Sequence, residues 1–122
     1  MKIKTVRPNK IAVWVKSKKF EAMYTKNELC INKWSGNPRK LWFYYSEPMV
    51  MTHFELPCVF ISVDGSITFD NGRHRSRWLL NQNSDTIPVG LYNEHLARGY
   101  ELGLIDRLAT DDDLLGFDIT FD

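Results

Sequence analysis

Residues 63–80 of this chain read VDGSITFDNGRHRSRWLL, and this stretch decides the fold that we expect. Asp64 and Gly65 stand between two apolar, β-branched runs. They predict a hairpin, because a two-residue turn requires the positive φ that glycine adopts easily. We expect residues 59–63 and 67–69 to be the paired strands. Gly72 permits a sharp exit from the second strand. The pattern after it predicts a helix that begins within about two residues of Gly72.

The start of this predicted helix carries a high density of positive charge. Arg73, His74 and Arg75 lie where the free backbone N–H groups and the positive end of the helix dipole also point. Helix propensity gives no reason for this arrangement, because the charges repel one another and the dipole. A glycine followed by arginines at a helix N-terminus is suited to holding a phosphate or another anion. The alternative is that the arginines form surface ion pairs, which contribute only about 0–1 kcal/mol each.

The sequence GRHR at residues 72–75 resembles the Gly-x-x-Arg box of the ParB/sulfiredoxin fold. In that fold a strand, a turn and a second strand precede the box, the box opens a helix, and a short strand ending in Pro-Val follows. Here TIPV at residues 86–89 matches the last strand, and the resemblance covers roughly residues 57–91. Within the fold, the box together with Trp78 is most similar to the plasmid fertility-inhibition (oncogenic-suppression) family. The resemblance implies one α+β domain over residues 1–122, with a mixed sheet and helices packed on it.

The function implied by the resemblance is that of a small phosphate- or nucleotide-binding protein of a mobile element. It would suppress conjugative DNA transfer, with weak NTPase or DNase activity as one option. The implied ligand is a nucleotide, ATP or CTP with Mg²⁺, or the phosphate groups of a nucleic acid. The implied protein partner belongs to a DNA-transfer or defence system. The candidate catalytic residues are His74 and Arg75, and the candidate phosphate-binding residues are Gly72, Arg73, His74, Arg75, Arg77 and Arg98.

The chain departs from two branches of that fold. Sulfiredoxin has its catalytic cysteine inside the box, where this chain has Arg73. Neither Cys30 nor Cys58 lies in the box, so thiol repair is not expected. ParB proteins attach a helical DNA-reading domain after the fold, and we expect none here because the chain ends at Asp122. These departures leave open an alternative function, a non-catalytic inhibitor or immunity-like factor that retains the fold and docks on a partner protein.

Composition and charge exclude some classes of protein. No apolar run approaches the ~18 residues of a membrane span, so we expect no membrane insertion. Two cysteines in 122 residues do not form a disulfide framework, which favours a reducing, cytoplasmic location. Residues 1–60 contain 11 Lys or Arg and 4 Asp or Glu, a net charge of +7, whereas residues 61–122 contain 5 and 11, a net charge of −6. The halves either form a basic and an acidic face or intermix and neutralise each other.

Metal chemistry has weak support in the sequence. Asp64, Asp70 and Asp85 are candidates for holding Mg²⁺ beside a nucleotide, because hard cations prefer carboxylates. Asp64 is better explained as a turn residue. The histidines show no recognisable metal spacing, so we predict no metal ion held by the protein alone. His74 has an unperturbed pKa near 6.5 and is therefore either an acid–base group or an orienting residue.

The flanking patterns predict further elements. Apolar and β-branched runs predict strands over residues 10–15 and 41–45. Helical spacing of apolar residues predicts helices over residues 17–24 and 93–103. Alternation over residues 117–121 predicts either an added edge strand or a frayed end.

Overall fold

The computed structural model describes residues 1–5, 8–24, 34–47, 50–117 and 119. Over these residues the chain forms eight β-strands and three α-helices, an α+β arrangement with two mixed sheets. The strands are β1 (Lys2–Lys4), β2 (Lys10–Lys16), β3 (Phe43–Glu47), β4 (Val50–Glu55), β5 (Cys58–Ile61), β6 (Ile67–Asn71), β7 (Thr86–Tyr92) and β8 (Ile105–Leu108). The helices are α1 (Ser17–Tyr24), α2 (Arg73–Asn81) and α3 (Leu96–Glu101), with 3-10 turns at Lys40–Trp42 and Asn93–His95.

The larger sheet has the strand order β6-β5-β7-β2-β8. Strands β5 and β7 run parallel, and the other neighbours are antiparallel. Because side chains alternate across a strand, Val13 and Val15 of β2 face the same side as Ile87 and Val89 of β7. These four residues are fully buried and belong to the hydrophobic core. Helix α1 packs on β2 and β6, and α2 packs on β7.

The smaller sheet has the order β1-β4-β3 and provides one residue, Glu55, to the candidate functional site. Strand β1 is parallel to β4, and β3 is antiparallel to it. Phe54 of β4 is fully buried and packs against Trp42 and Trp78, with ring centroids 6.5 and 5.7 Å away. Since Trp78 belongs to α2, this aromatic contact joins the smaller sheet to that helix. Glu55, at the end of β4, therefore comes to lie beside the start of α2.

The predicted hairpin and helix start are confirmed, with one correction to the turn. Strands β5 and β6 pair antiparallel, and α2 begins directly after Gly72. The turn is not the expected two-residue type, because Gly65 has φ +88° while Asp64 does not have a positive φ. The Gly65 N–H donates to the Ser62 carbonyl at 2.9 Å, which fits a three-residue turn that ends in a left-handed residue. Asp64 acts as a turn residue, since its Oδ1 accepts the Ser66 N–H at 2.9 Å.

The other predicted elements are found with shifted ends. The strand over residues 10–15 and the helix over residues 17–24 are present as β2 and α1. The strand expected over residues 41–45 begins later, because a 3-10 turn precedes β3. The helix expected over residues 93–103 is a 3-10 turn followed by α3. Most of the strand expected over residues 117–121 lies outside the described residues. Within the described part of the chain, no helix has the length and apolar character that a membrane crossing needs.

Candidate functional site

Helix α2 begins at a position that only glycine fills without strain. Gly72 has φ +94° and ψ 37°, a left-handed conformation, and provides no side-chain cap. A Cβ atom on Gly72 would lie 2.7 Å from the Pro57 Cα and 2.9 Å from the Arg75 Nε. The Ser76 N–H donates to the Gly72 carbonyl at 2.9 Å and closes the first turn. The N–H groups of residues 73–75 thus have no acceptor within the helix.

Arg75 is buried, and Glu55 binds it through one terminal nitrogen of its guanidinium. The residue is 4% exposed. Its Nη1 donates to the Glu55 carboxylate and, at 3.1 Å, to the Glu55 carbonyl. The other carboxylate oxygen of Glu55 accepts the Tyr44 hydroxyl at 2.9 Å. The Arg75 Nε is buried and has no hydrogen-bond partner among the described residues. Glu55 therefore does not occupy the Nε edge of the guanidinium. This edge is one of those through which a guanidinium binds two oxygens of a phosphate.

A cavity of about 270 Å³ opens at this helix start. Its lining residues are Arg39, Trp42, Phe69, Asp70, Asn71, Gly72, Arg73, His74 and Arg75, which we call the box cleft. The His74 ring packs edge-on against Trp34, with centroids 5.2 Å apart. Burial lowers the pKa of His74 below its ordinary value, and the positive charges of Arg39 and Arg73 lower it further. Arg39 and Arg73 therefore bring positive charge beside His74, which a bound anion would offset.

Asp70 is the carboxylate that lines the box cleft, and a buried lysine lies behind it. The Lys10 side chain is buried, and its Nζ is 3.9 Å from the Asp70 carboxylate. The same Nζ donates to the Val59 carbonyl at 2.9 Å and lies 3.1 Å from the centre of the Tyr92 ring. Lys10 therefore offsets part of the negative charge that Asp70 brings to the cleft. Sequence reasoning missed this lysine, because nothing in the local pattern around it marks a buried cation.

The carboxylates considered for Mg²⁺ are not brought together. Asp64 lies in the β5–β6 turn, where its Oδ1 also accepts the Ser66 hydroxyl at 2.6 Å. Asp70 lines the box cleft, and Asp85 lines a different cavity beside α1. Among the described residues, no group of three or more His, Cys, Asp or Glu side chains is placed to hold a metal ion.

Arg77 is directed away from the box cleft and toward α1. Its Nη1 donates to the Glu21 carboxylate and to the Tyr24 hydroxyl, the latter at 2.8 Å. Its Nε donates to the Asn81 side chain at 2.9 Å. Although Arg73 and Arg77 are four residues apart on one helix, Arg77 lines the cavity beside α1 and not the cleft that Arg73 lines.

Arg98 is also separated from the box. Its guanidinium donates to the carbonyls of Ser62 and Val63 at 2.7 and 2.6 Å, at the turn between β5 and β6. Gly72 follows the other end of β6, a five-residue strand, so roughly 15 Å separates the two ends. The structure thus places Gly72, Arg73, His74 and Arg75 around one cleft, while Arg77 and Arg98 lie elsewhere.

Sequence reasoning did not identify two residues that act at the cleft. Glu55 holds Arg75 from 20 positions earlier in the chain, and Arg39 adds a cation from the segment before β3. The local sequence contains no signal for either residue, because both come close to the start of α2 only in the folded chain.

Comparison of this chain with protein-family models, with curated proteins and with solved structures found no match. The resemblance to the ParB/sulfiredoxin fold therefore stays a prediction.

Proposed function

We propose that this protein binds a phosphate group at the box cleft, carried by a nucleotide or by a nucleic-acid backbone. The observation that supports this best is Arg75. Its guanidinium is buried, oriented by Glu55 and unpartnered at Nε. A buried donor without a partner is unfavourable, so a ligand oxygen at this edge would stabilise the protein as well as the complex.

The other cleft residues have distinct roles in this proposal. Gly72 keeps the approach to the guanidinium free of a side chain. The backbone N–H groups of the first turn and the dipole of α2 favour a negative charge there. Arg73 and Arg39 are exposed cations that neutralise further phosphate oxygens. His74 takes up a proton more readily once the anion balances the neighbouring arginines.

The wider role is proposed on the resemblance. The order β5, β6, box, α2 and β7 is the order expected of a ParB/sulfiredoxin-like fold. On this basis we propose a cytoplasmic protein of the fertility-inhibition type that suppresses conjugative DNA transfer, with ATP or CTP as the nucleotide and Mg²⁺ carried by it. NTPase or DNase activity would require a group that activates water, and Asp70 and His74 are the cleft side chains with that chemistry.

Calorimetric titration with ATP, CTP and single-stranded DNA tests the binding. Arg73→Ala should weaken binding by about ten- to a hundred-fold, because it removes charge-assisted hydrogen bonds to phosphate. Lys19→Ala removes one exposed positive charge from another helix and is the matched control, with unchanged affinity expected. Equal affinities in the wild-type protein and both variants would contradict the proposal.

A plasmid-transfer assay tests the wider role and separates it from docking. Arg73→Ala should relieve suppression while the protein stays folded. If Arg73→Ala suppresses transfer fully, suppression does not use the box cleft, and loss of suppression on charge reversal at Lys16, Lys18 and Lys19 then locates the activity at the basic surface around the start of α1, as the docking alternative expects. Phosphate release measured on the same variants shows whether suppression requires hydrolysis.

A further inference from the structure

A second cavity, of about 510 Å³, lies between the start of α1 and the end of α2. Its lining residues are Lys16, Ser17, Lys18, Glu21, Arg77, Leu80, Asn83, Ser84 and Asp85, which we call the α1 cavity. None of them lines the box cleft. The volume falls within the range typical of small-molecule sites.

Ser17 provides an unsatisfied polar group in the wall of the α1 cavity. The residue is 7% exposed, and its Oγ is buried without a hydrogen-bond partner among the described residues. Its backbone N–H donates to the Asp85 carbonyl at 2.9 Å, which fixes the start of α1 against the segment that follows α2. A buried hydroxyl without a partner is unfavourable, and an occupant of the cavity with polar oxygens would satisfy it.

The charge around the α1 cavity favours an anion. Helix α1 has no acidic residue in its first turn, and its first N–H groups have no acceptor within the helix. Lys16 and Lys18 are exposed cations on either side of Ser17. The Glu21 carboxylate is neutralised by its ion pair with Arg77. Asp85 is exposed and adds one negative charge to the lining.

The C-terminal end of α2 does not strongly disfavour an anion in the α1 cavity. Its last carbonyls are already used, because the Leu79 and Leu80 carbonyls accept the N–H groups of Gln82 and Asn83. The Trp78 carbonyl accepts the Gln82 side-chain amide at 3.0 Å. Arg77 is held on this side of α2 by Glu21.

We propose that the α1 cavity is a second phosphate-binding site, for a phosphorylated small molecule, and is independent of the box cleft. The phosphate group lies at the first turn of α1, where Ser17 Oγ and the Lys18 ammonium donate to it. Leu80 and Asn83 line the part of the cavity that remains for the organic portion of the molecule.

NMR titration of the full chain with inorganic phosphate and with AMP tests the proposal. Both probes should give saturable shifts at the backbone amides of Ser17 and Lys18. Lys18→Ala should weaken both by about tenfold, because it removes a charge-assisted hydrogen bond. Lys19→Ala, the next residue and also exposed, does not line the cavity and should bind as the wild type does. Tighter binding of AMP identifies a phosphomonoester as the ligand, and equal binding identifies free phosphate.

Two further variants connect the result to the geometry. Ser17→Ala should weaken binding and leave the melting temperature at or above that of the wild type, because it removes an unpartnered buried hydroxyl. Arg73→Ala should leave binding at α1 unchanged, so the result is independent of the proposed function of the box cleft. Shifts confined to residues 72–75, or equal binding by the Lys18 and Lys19 variants, would overturn the proposal.

Discussion

Arg75→Ala should make the protein easier to unfold. It also removes the side chain that we propose binds the phosphate group. The substitution leaves the Glu55 carboxylate, whose side chain is 18% exposed, without its cation. Removing one partner of a buried ion pair costs about 3–5 kcal/mol. Glu55 is partly exposed and keeps the hydrogen bond from Tyr44, so the loss should be smaller, about 2–3 kcal/mol in the free energy of unfolding.

This loss is large enough to measure by two methods. For a domain of 122 residues, 1 kcal/mol corresponds to roughly 3–5 °C in melting temperature, so Arg75→Ala should melt about 6–15 °C lower. Urea unfolding, followed by tryptophan fluorescence, should show a lower midpoint with an unchanged slope. Trp78 of α2 is buried, so its contribution to the fluorescence should change when the protein unfolds.

A double-mutant cycle attributes the loss to the pair. Glu55→Gln, Arg75→Ala and the double variant should give a coupling energy of at least about 1 kcal/mol. Lys19→Ala is the control, because this exposed position on α1 should change the free energy of unfolding by no more than about 0.5 kcal/mol. A coupling energy near zero, or an Arg75→Ala protein as stable as the control, would refute the reasoning.

Three other substitutions or titrations test separate features. Gly72→Ala should destabilise the protein in urea by more than Gly103→Ala, because both have positive φ but only Gly72 has close neighbours at the Cβ position. The pKa of His74, measured by NMR, should lie below 6.5 and rise when phosphate binds. Because this pKa is lowered in the folded protein, neutral His74 contributes stability above pH ~6.5 that is lost as the pH falls below it. Hydrogen bonds from Arg107, the Thr110 backbone and Trp14 hold the pKa of Asp113 well below its usual range. Asp113 therefore contributes stability above about pH 4 that is lost on acidification, and Asp113→Asn should flatten the acid limb of a stability–pH curve.

The elements that sequence reasoning found are those encoded by neighbouring residues. The β5–β6 hairpin and the start of α2 follow from Gly65, Gly72 and the alternation around them, and these signals are local. The length of the turn was wrong, because the pair Asp64-Gly65 suits both a two-residue and a three-residue turn. The distinction depends on which strand residues pair.

The side chains that complete the cleft could not be found in the same way. Glu55 reaches Arg75, and Lys10 reaches Asp70, only after two sheets and a helix have packed. Arg73 and Arg77 are four residues apart on α2, a spacing that puts two side chains on one face of a helix. The ion pair from Glu21 on α1 decides that Arg77 lines another cavity. Such contacts depend on tertiary packing, so no periodic pattern in the sequence predicts them.

The ion pair between Glu55 and Arg75 also joins two parts of the molecule. Glu55 belongs to the smaller sheet, whereas Arg75 belongs to a helix that packs on the larger sheet. A phosphate at the free Nε edge would bind the same guanidinium that Glu55 holds at Nη1. If the phosphate binds the guanidinium in the orientation that Glu55 fixes, a change that weakens the Glu55 contact also weakens anion binding, and by thermodynamic reciprocity the bound anion strengthens that contact by the same factor. Occupancy of the cleft and the tightness of the contact between the two sheets are therefore linked quantities, and amide hydrogen exchange in β4 would report ligand binding.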